Sequence, residues 1–534
     1  MNISKPGTVS SMVSALVSAL LTGACFPSTF FSIAAFVSLV PLFRSIEKAG
    51  SMRQVFLRGF AFGGVFGCVV AYWIFIAVRY QYEAPLWVAV FFLVILTCLP
   101  LGVLFGLFAA GYRYLQSERP LFFFIILPSL WIMCEYLREL VPLFLPWGFM
   151  GYAMAGFPRF IQGADVAGIY GLSFIVVFVN SMVHYITRSF SRGDIKRIIQ
   201  EHTVASAVRE TASTKHWSLI AVITAVSIPL LYGSWQFSSW KAFLAQELRG
   251  PRSMDVRIVQ GNFTHRQRWE QGSIFQVLDA CLSLTGDQQN QSRDTLIVWP
   301  ETVINMPRTM KNQVLARIAA AAGERGILVF GGTRNSRARG TYNAAYCVTG
   351  RGSVTWYDKV ILLPFAETAP FGIDMLGAVY DAPSSFTPGE NSSHVRTPAG
   401  EFGISICFEK IFTWFVRDSV RRGAAVLINI SNDSWFGRST EPYQHRDIAA
   451  LRAVENRRYM VVAANSGISA VISPAGETER ETPLYTRTAL TGKIVPLRTK
   501  SIYTRFGDWV LYIALTALCG VIVVRIYRTE PRGA

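Results

Sequence analysis

The stretch GISICFEK, residues 403–410, runs through small and apolar side chains and then delivers Cys407, Phe408, Glu409 and Lys410 in succession. Apolar runs of roughly four to eight residues read as strands buried on both faces. A thiol inside such a run is usually packing material, whereas a thiol at its carboxyl end is offered to the loops, where chemistry is placed. The fold therefore turns on whether neighbouring segments repeat the pattern.

They do. VRIVQGN (256–262), TLIVWPE (295–301), ILVFGGT (327–333), AVLINIS (425–431) and MVVAANS (460–466) are all short and rich in β-branched residues. Helical patterns lie between several of them, for example NQVLARIAAAAGERG at 312–326, with apolar residues at helical spacing and a Gly just past the end. Strands alternating with helices predict an α/β domain over residues 236–506. Strands this apolar predict sheets covered on both faces.

The flanks have another texture. With 51% hydrophobic and 16% charged residues among 534, the chain is too apolar for a soluble protein of this size, and a membrane protein is expected. Seven apolar segments precede the α/β block, at about 9–27, 29–43, 57–78, 85–111, 120–141, 165–187 and 217–235, and an eighth follows at 507–524. Most approach the roughly 20 residues that cross a bilayer; the second is short and needs its flanks or a tilt. Fifteen Lys and Arg residues fall in alternate connections, among them Arg44, Lys48, Arg113, Arg188, Lys196 and Arg525, against only Arg79, Arg138 and Arg159 in the others. That bias predicts cytoplasmic termini and an outer location for residues 236–506. The net charge of +17 is scattered between apolar segments instead of forming a stripe with stacking aromatics, so no nucleic-acid partner is expected. LTGAC at 21–25 faintly matches a lipoprotein cleavage box, but Thr22 stands where a large aliphatic belongs, and an uncleaved first span is the better reading.

Chemistry narrows by elimination. No GxSxG, HExxH or GxxxxGK[ST] occurs, and the eight cysteines form no CxxC pair or Cys/His cluster, so metal and disulfide frameworks are not expected. Cys25, Cys68, Cys98, Cys134 and Cys519 sit in hydrophobic stretches, leaving Cys281, Cys347 and Cys407. Three strand-end segments remain: VWPET with Glu301, YDKVILLPFAE with Lys359 and Glu367, and SICFE with Cys407. A base, a cation and a thiol are the parts an activated sulfur nucleophile needs. Their spacing does not show that they converge.

WPE, DK…LLPFAE, ICFE and ISNDSWFG, in this order, resemble the nitrilase superfamily, whose Glu-Lys-Cys triad sits on an α-β-β-α sandwich. With seven predicted spans before the domain and one after, the whole chain is similar to the apolipoprotein N-acyltransferase family. The resemblance implies a polytopic α-helical membrane domain of eight transmembrane helices plus an extracytoplasmic α/β nitrilase-like sandwich. The boundaries would be 1–235 for the first seven helices, 236–506 for the catalytic domain and 507–534 for the last helix and tail. Carried over by motif, Glu301 is the general base, Lys359 the cation near the oxyanion and Cys407 the nucleophile, with Glu367 and Glu409 supporting them. Trp269 and Trp435 match aromatics on the lipid side of the site. Phe408 stands where the family often has Tyr, and Ala366 where it often has Gly; the backbone N–H of Phe408 remains available as an oxyanion donor whatever its side chain.

The implied reaction moves an acyl chain from a membrane phospholipid, through a thioester on Cys407, to the α-amino group of a diacylglyceryl-modified cysteine on an apolipoprotein. It needs no cofactor and belongs in the bacterial inner membrane, with the catalytic domain on the periplasmic side. Two other readings stay open: a membrane-tethered amidase acting on a small amide with the same triad, and a non-catalytic lipid-binding scaffold. The aromatic segment LFLPWGFMGYAMAGF (143–157) has the composition of an interfacial belt or an entrance lining. Residues 366–390 read as a lid, with Phe371, Ile373, Met375 and Leu376 dipping toward the membrane.

Overall fold

The computed structural model describes residues 6–27, 30–81, 83–117, 119–141, 144–188, 204–264, 267, 274–288, 293–306, 310–336, 339–368, 386–390, 392–398 and 400–529. The chain divides into two compact units. One comprises Met1–Phe75, Pro85–Ser234 and Asp508–Ala534; the other comprises Ile76–Ala84 and Trp235–Gly507.

The first unit is helical. Five described helices of the chain are long and apolar enough to cross a membrane: Met52–Val70, Leu86–Leu115, Ile161–Arg188, Trp217–Glu247, whose residues from Trp235 on belong to the second unit, and Trp509–Tyr527. The expected first span forms the shorter helix Pro6–Gly23. The expected second span at 29–43 is not one helix: a 3-10 segment, Phe30–Phe36, is separated by a turn from the eight-residue helix Val40–Glu47, which begins at Val40-Pro41. Proline fits there because a first-turn N–H has no intrahelical partner to lose. The fifth segment begins as a π-turn, Phe122–Ile126, and continues as Leu127–Leu140.

Glycine sets the approach of two of these helices. A Cβ on Gly59 would lie 2.2 Å from the Phe105 carbonyl oxygen, and one on Gly63 2.2 Å from that of Leu101. Small residues four apart let backbones touch where lipid offers no hydrophobic drive for helix association. In the aromatic segment expected as an interfacial belt or an entrance lining, Trp147, Phe149, Met150 and Tyr152 are buried. Buried Arg138 donates to the carbonyls of Leu145 and Trp147, and buried Glu135 accepts the Met150 N–H at 2.7 Å. Turning backbone inside an apolar unit needs such partners, which is why the loop follows the charged side chains inward.

The second unit is a two-sheet sandwich. Its strands are β1 (Met254–Gln260), β2 (Thr295–Val298), β3 (Gly326–Ser336), β4 (Gly340–Thr349), β5 (Val354–Asp358), β6 (His394–Thr397), β7 (Gly400–Ile406), β8 (Val426–Ser431), β9 (Met460–Ala464), β10 (Ala470–Ile472), β11 (Thr478–Glu481) and β12 (Thr488–Ile494). One sheet runs β12-β1-β2-β3-β4-β5 and the other β11-β10-β9-β8-β7-β6. Each has a parallel core, β1-β2-β3 and β7-β8-β9, with antiparallel strands outside it. The sheets pack on each other, β1 near β9 and β4 near β7. Helices Ile274–Thr285 and Lys311–Ala322 cover one outer face, and Thr413–Arg422 and Glu441–Asn456 the other. Every residue of β2, β8 and β9 is consequently buried, as their unbroken apolar pattern requires.

Candidate active site

Two antiparallel pairings separate β5 from β3, so β5 runs in the same sense as β2, and Glu301 and Lys359 leave the same edge of their sheet. The chain turns sharply at Glu301: Thr302 has φ +45°, and Val303 and Ile304 both donate to the Gly331 carbonyl, at 3.0 and 3.1 Å. Gly331 returns its N–H to Pro300 at 2.9 Å. A Cβ on Gly331 would stand 2.5 Å from the Glu301 Cα, so only glycine lets β3 press this turn into place.

Lys359 is buried and its ammonium has two carboxylates: Nζ lies 2.8 Å from Glu367 Oε2 and 3.4 Å from Glu301 Oε1. The Asn343 amide, on β4, donates to Glu301 Oε1 at 2.7 Å and to Glu367 Oε1 at 2.9 Å. The Leu363 N–H caps Glu367 Oε2 at 2.9 Å, closing the network. Burial pushes Glu301 above the usual carboxylate range, with Glu367 adding to it and Lys359 opposing. Burial also works against the Lys359 charge, yet the Glu367 and Glu301 carboxylates outweigh it and hold the ammonium firmly protonated.

Cys407 comes from the other sheet. It follows β7, opens the 3-10 turn Cys407–Ile411 and adopts φ +52°, a left-handed conformation unusual for a side-chain-bearing residue. Burial raises its thiol well above the ordinary value, and the Glu301 carboxylate raises it further against the pull of Lys359. The resting sulfur is a thiol within the electrostatic reach of both groups.

Glu409 joins the two sheets. Fully buried, it accepts the Tyr357 hydroxyl at 2.6 Å and the Val360 and Ile361 N–H groups at 2.7 and 3.0 Å on one oxygen, and the Ile406 N–H at 2.8 Å on the other. The backbone just beyond Lys359 is thus tied to the backbone just before Cys407. Burial lifts this carboxyl to about 7. Phe408 is buried edge-on against Phe412, with ring centroids 5.1 Å apart. Trp435 is half-buried on the 3-10 turn Asp433–Phe436 that follows β8, beside the Cys407-bearing strand. The π-turn Ala77–Gln81 packs on that same turn. Trp269 and the proposed lid residues Phe371, Ile373, Met375 and Leu376 lie outside the described residues.

Asn343 and a buried charged group behind the nucleophile carry no signal in the sequence. Lys410 Nζ donates to Asn429 Oδ1 at 3.0 Å, and His445 Nδ1 lies 3.4 Å from Asp433 and 3.6 Å from Glu441. Asp433, Glu441 and His445 place ligand-type atoms within 4.8 Å of one another, but the Lys410 ammonium already supplies positive charge there. ISNDSWFG and Lys410 were visible as sequence; nothing in it marked their charges as buried.

The fold and site define a class: a carbon-nitrogen hydrolase-type domain, with a cysteine at a strand end, carried on an apolar helical unit. The carbon-nitrogen hydrolase family matches residues 256–502, and the apolipoprotein N-acyltransferase N-terminal domain matches residues 18–182. The apolipoprotein N-acyltransferase of Geobacter metallireducens is 29% identical over 526 residues, covering 97% of this chain and 95% of that protein. Its counterpart in Pseudomonas syringae pv. tomato is 27% identical over 542 residues, covering 99% of both. Saccharomyces cerevisiae Nit3, of the nitrilase superfamily, overlaps 46% of this chain and 91% of its own at 18% identity and a TM-score of 0.36. Apolipoprotein N-acyltransferases thus match the chain along nearly its whole length, and its long apolar helices are those of a membrane protein.

Proposed function

We propose that this protein transfers an acyl chain from a membrane phospholipid to the α-amino group of the diacylglyceryl-cysteine of apolipoproteins, through a thioester on Cys407. The observation carrying the reading is the buried Lys359 shared by Glu301 and Glu367, within the electrostatic reach of Cys407, in a chain matched along its length by N-acyltransferases.

Because burial and Glu301 both favour the neutral thiol, proton transfer and attack are coupled. Glu301 takes the thiol proton as sulfur adds to the ester carbonyl. Lys359 and the Phe408 N–H stabilise the oxyanion. The C–O bond breaks, Glu301 returns the proton to the departing oxygen, and a lysophospholipid leaves. In the second half the acceptor amine adds to the thioester carbonyl, Glu301 takes a proton from nitrogen, the C–S bond breaks, and the thiol recovers that proton. Ester becomes amide with a thioester between, and no external energy is needed. Glu367 and Glu409 hold Lys359 and the Cys407 turn; Trp435 flanks the acyl path, and Trp269 is assigned to acyl binding on its motif alone.

The proposal includes eight membrane spans, with residues 1–235 and 507–534 in the bilayer and its cytoplasmic margins and residues 236–506 in the periplasm. The Lys and Arg asymmetry of the connections supports this orientation. An outward site receives both lipid-anchored substrates without drawing acyl chains through water, and dryness protects the thioester from hydrolysis.

Intact-mass analysis of the protein incubated with phospholipid vesicles tests the reaction. One hydroxylamine-sensitive acyl adduct on Cys407 is expected, lost in Cys407→Ala and discharged by a diacylglyceryl peptide. Free fatty acid without peptide acylation would favour the hydrolase; full activity of Cys407→Ala would favour the scaffold.

A further inference from the structure

Behind the nucleophile lies a polar group that the reaction above does not use. Asn429, on β8, is fully buried, and every polar atom of its side chain is engaged. Nδ2 donates to the Cys407 carbonyl at 3.3 Å, to the Ser405 carbonyl at 3.1 Å and to Ser405 Oγ at 3.0 Å. Oδ1 accepts from the buried Lys410 ammonium at 3.0 Å. A cation on the amide oxygen draws electron density from the nitrogen and makes Nδ2 a better donor.

The target of that donor matters. Cys407 C=O and Phe408 N–H belong to one planar trans peptide, so they point in opposite directions. Anchoring the carbonyl on Asn429, inside the sheet, aims the Phe408 N–H the other way. Cys407 needs such an anchor, because its φ of +52° is held by its surroundings and not by its own preference. Burial lowers the Lys410 ammonium to about 8, with Asp433, Glu441 and Cys407 opposing it, so it still carries its charge at neutral pH.

We infer that Asn429, polarised by Lys410, is a positioning residue that sets the oxyanion hole by fixing the Cys407–Phe408 peptide. The inference rests on the acyl-transfer reading and adds to it two residues that act on the Cys407 backbone from behind. It separates two properties of Cys407: its reactivity as a nucleophile, governed by Glu301 and Lys359, and its ability to carry a tetrahedral oxyanion, governed from behind by Asn429 and Lys410.

The test uses the full-length protein and two reactions of the same sulfur. Alkylation by iodoacetamide displaces iodide at a saturated carbon and forms no oxyanion; acylation by phosphatidylethanolamine vesicles forms one. In Asn429→Asp, which keeps the shape and the Lys410 partner but loses the donor, acyl-adduct formation is expected to slow roughly 100-fold, the size of losing one oxyanion donor. Alkylation should stay within about threefold of wild type, since the thiol and its base are untouched. Lys410→Met, which keeps the stem and removes the charge, should slow acylation less but with the same selectivity. Acylation unchanged in both variants, or falling in step with alkylation, overturns the inference. Wild-type protein that alkylates but takes no acyl chain overturns the acyl-transfer reading itself, and the inference with it.

Discussion

Lys359 is the residue on which the electrostatics converge. Its ammonium has both Glu301 and Glu367 as partners, and Asn343 binds the same two carboxylates. Glu367→Gln should therefore leave Lys359 leaning on Glu301 alone, strengthening that ion pair and weakening Glu301 as a base; a loss of roughly 10–100-fold in Cys407 acylation is expected from single-turnover kinetics. Lys359→Met should cost more, roughly 100–1000-fold, because an oxyanion partner disappears. Glu409 gives a pH signature. Burial raises its folded pKa to about 7, above the ordinary 4.5, so the folded state retains a proton that the unfolded state has lost. Its contribution to stability is thus present in acid and lost as pH rises from about 4.5 to 7, then constant. The melting-temperature difference between wild type and Glu409→Gln should drift over that window and level off above it; a difference flat across the window would refute the assignment. Glu301 and Cys407 were legible in the sequence because each follows a short apolar run, whereas Lys359 follows VTWYD and is singled out, like the grouping of the three, by the family resemblance. Asn343 and Asn429 were not, since TYNAAYC and INISND look like ordinary strand, and only tertiary partners reveal what a buried amide does.

At the scale of elements, glycines mark where backbones must approach. Gly331→Ala would press a methyl into the Glu301 turn, so activity should fall while the protein still folds, at a stability cost of roughly 1–3 kcal/mol. Circular dichroism and acylation measured together would check it. Gly63→Leu belongs to the helical unit: its side chain would collide with the Leu101 carbonyl, and the melting temperature should drop with the Cys407 environment intact. The parallel-core strands were readable to within a few residues because their burial on two faces leaves an unbroken apolar run; ILVFGGT and AVLINIS fall inside or against β3 and β8. The edge strands β6, β11 and β12 were not, since half-exposed residues such as those of TERE carry no such signal. The helix expected at 312–326 spans Lys311–Ala322 and stops at Gly323, φ +74°. The 29–43 segment misled because hydropathy counts apolar residues without asking whether one helix can hold them.

At the scale of the whole molecule, composition alone announced a membrane protein and the strand-helix alternation an α/β domain, while the two-sheet sandwich was implied only by the family resemblance. The inward fold of residues 144–154 was hidden, because an aromatic-rich segment has the same composition whether it faces headgroups or packs around Arg138 and Glu135. Orientation can be measured directly: single cysteines placed in the 236–506 block, on a background with the native thiols removed, should react with a membrane-impermeant maleimide in intact spheroplasts, and those near residues 44–53 should not. Labelling in the reverse pattern would refute the proposed topology.

One consequence follows from Glu409. The acid and the cation ride on one sheet and the sulfur on the other, and this carboxyl is a rivet through the seam between the two leaves. Shear the rivet, by mutation or mild warming, and the leaves can slip while each keeps its own ladder of bonds. Catalysis should then fade before the dichroism of the strands does, so that the enzyme dies looking intact.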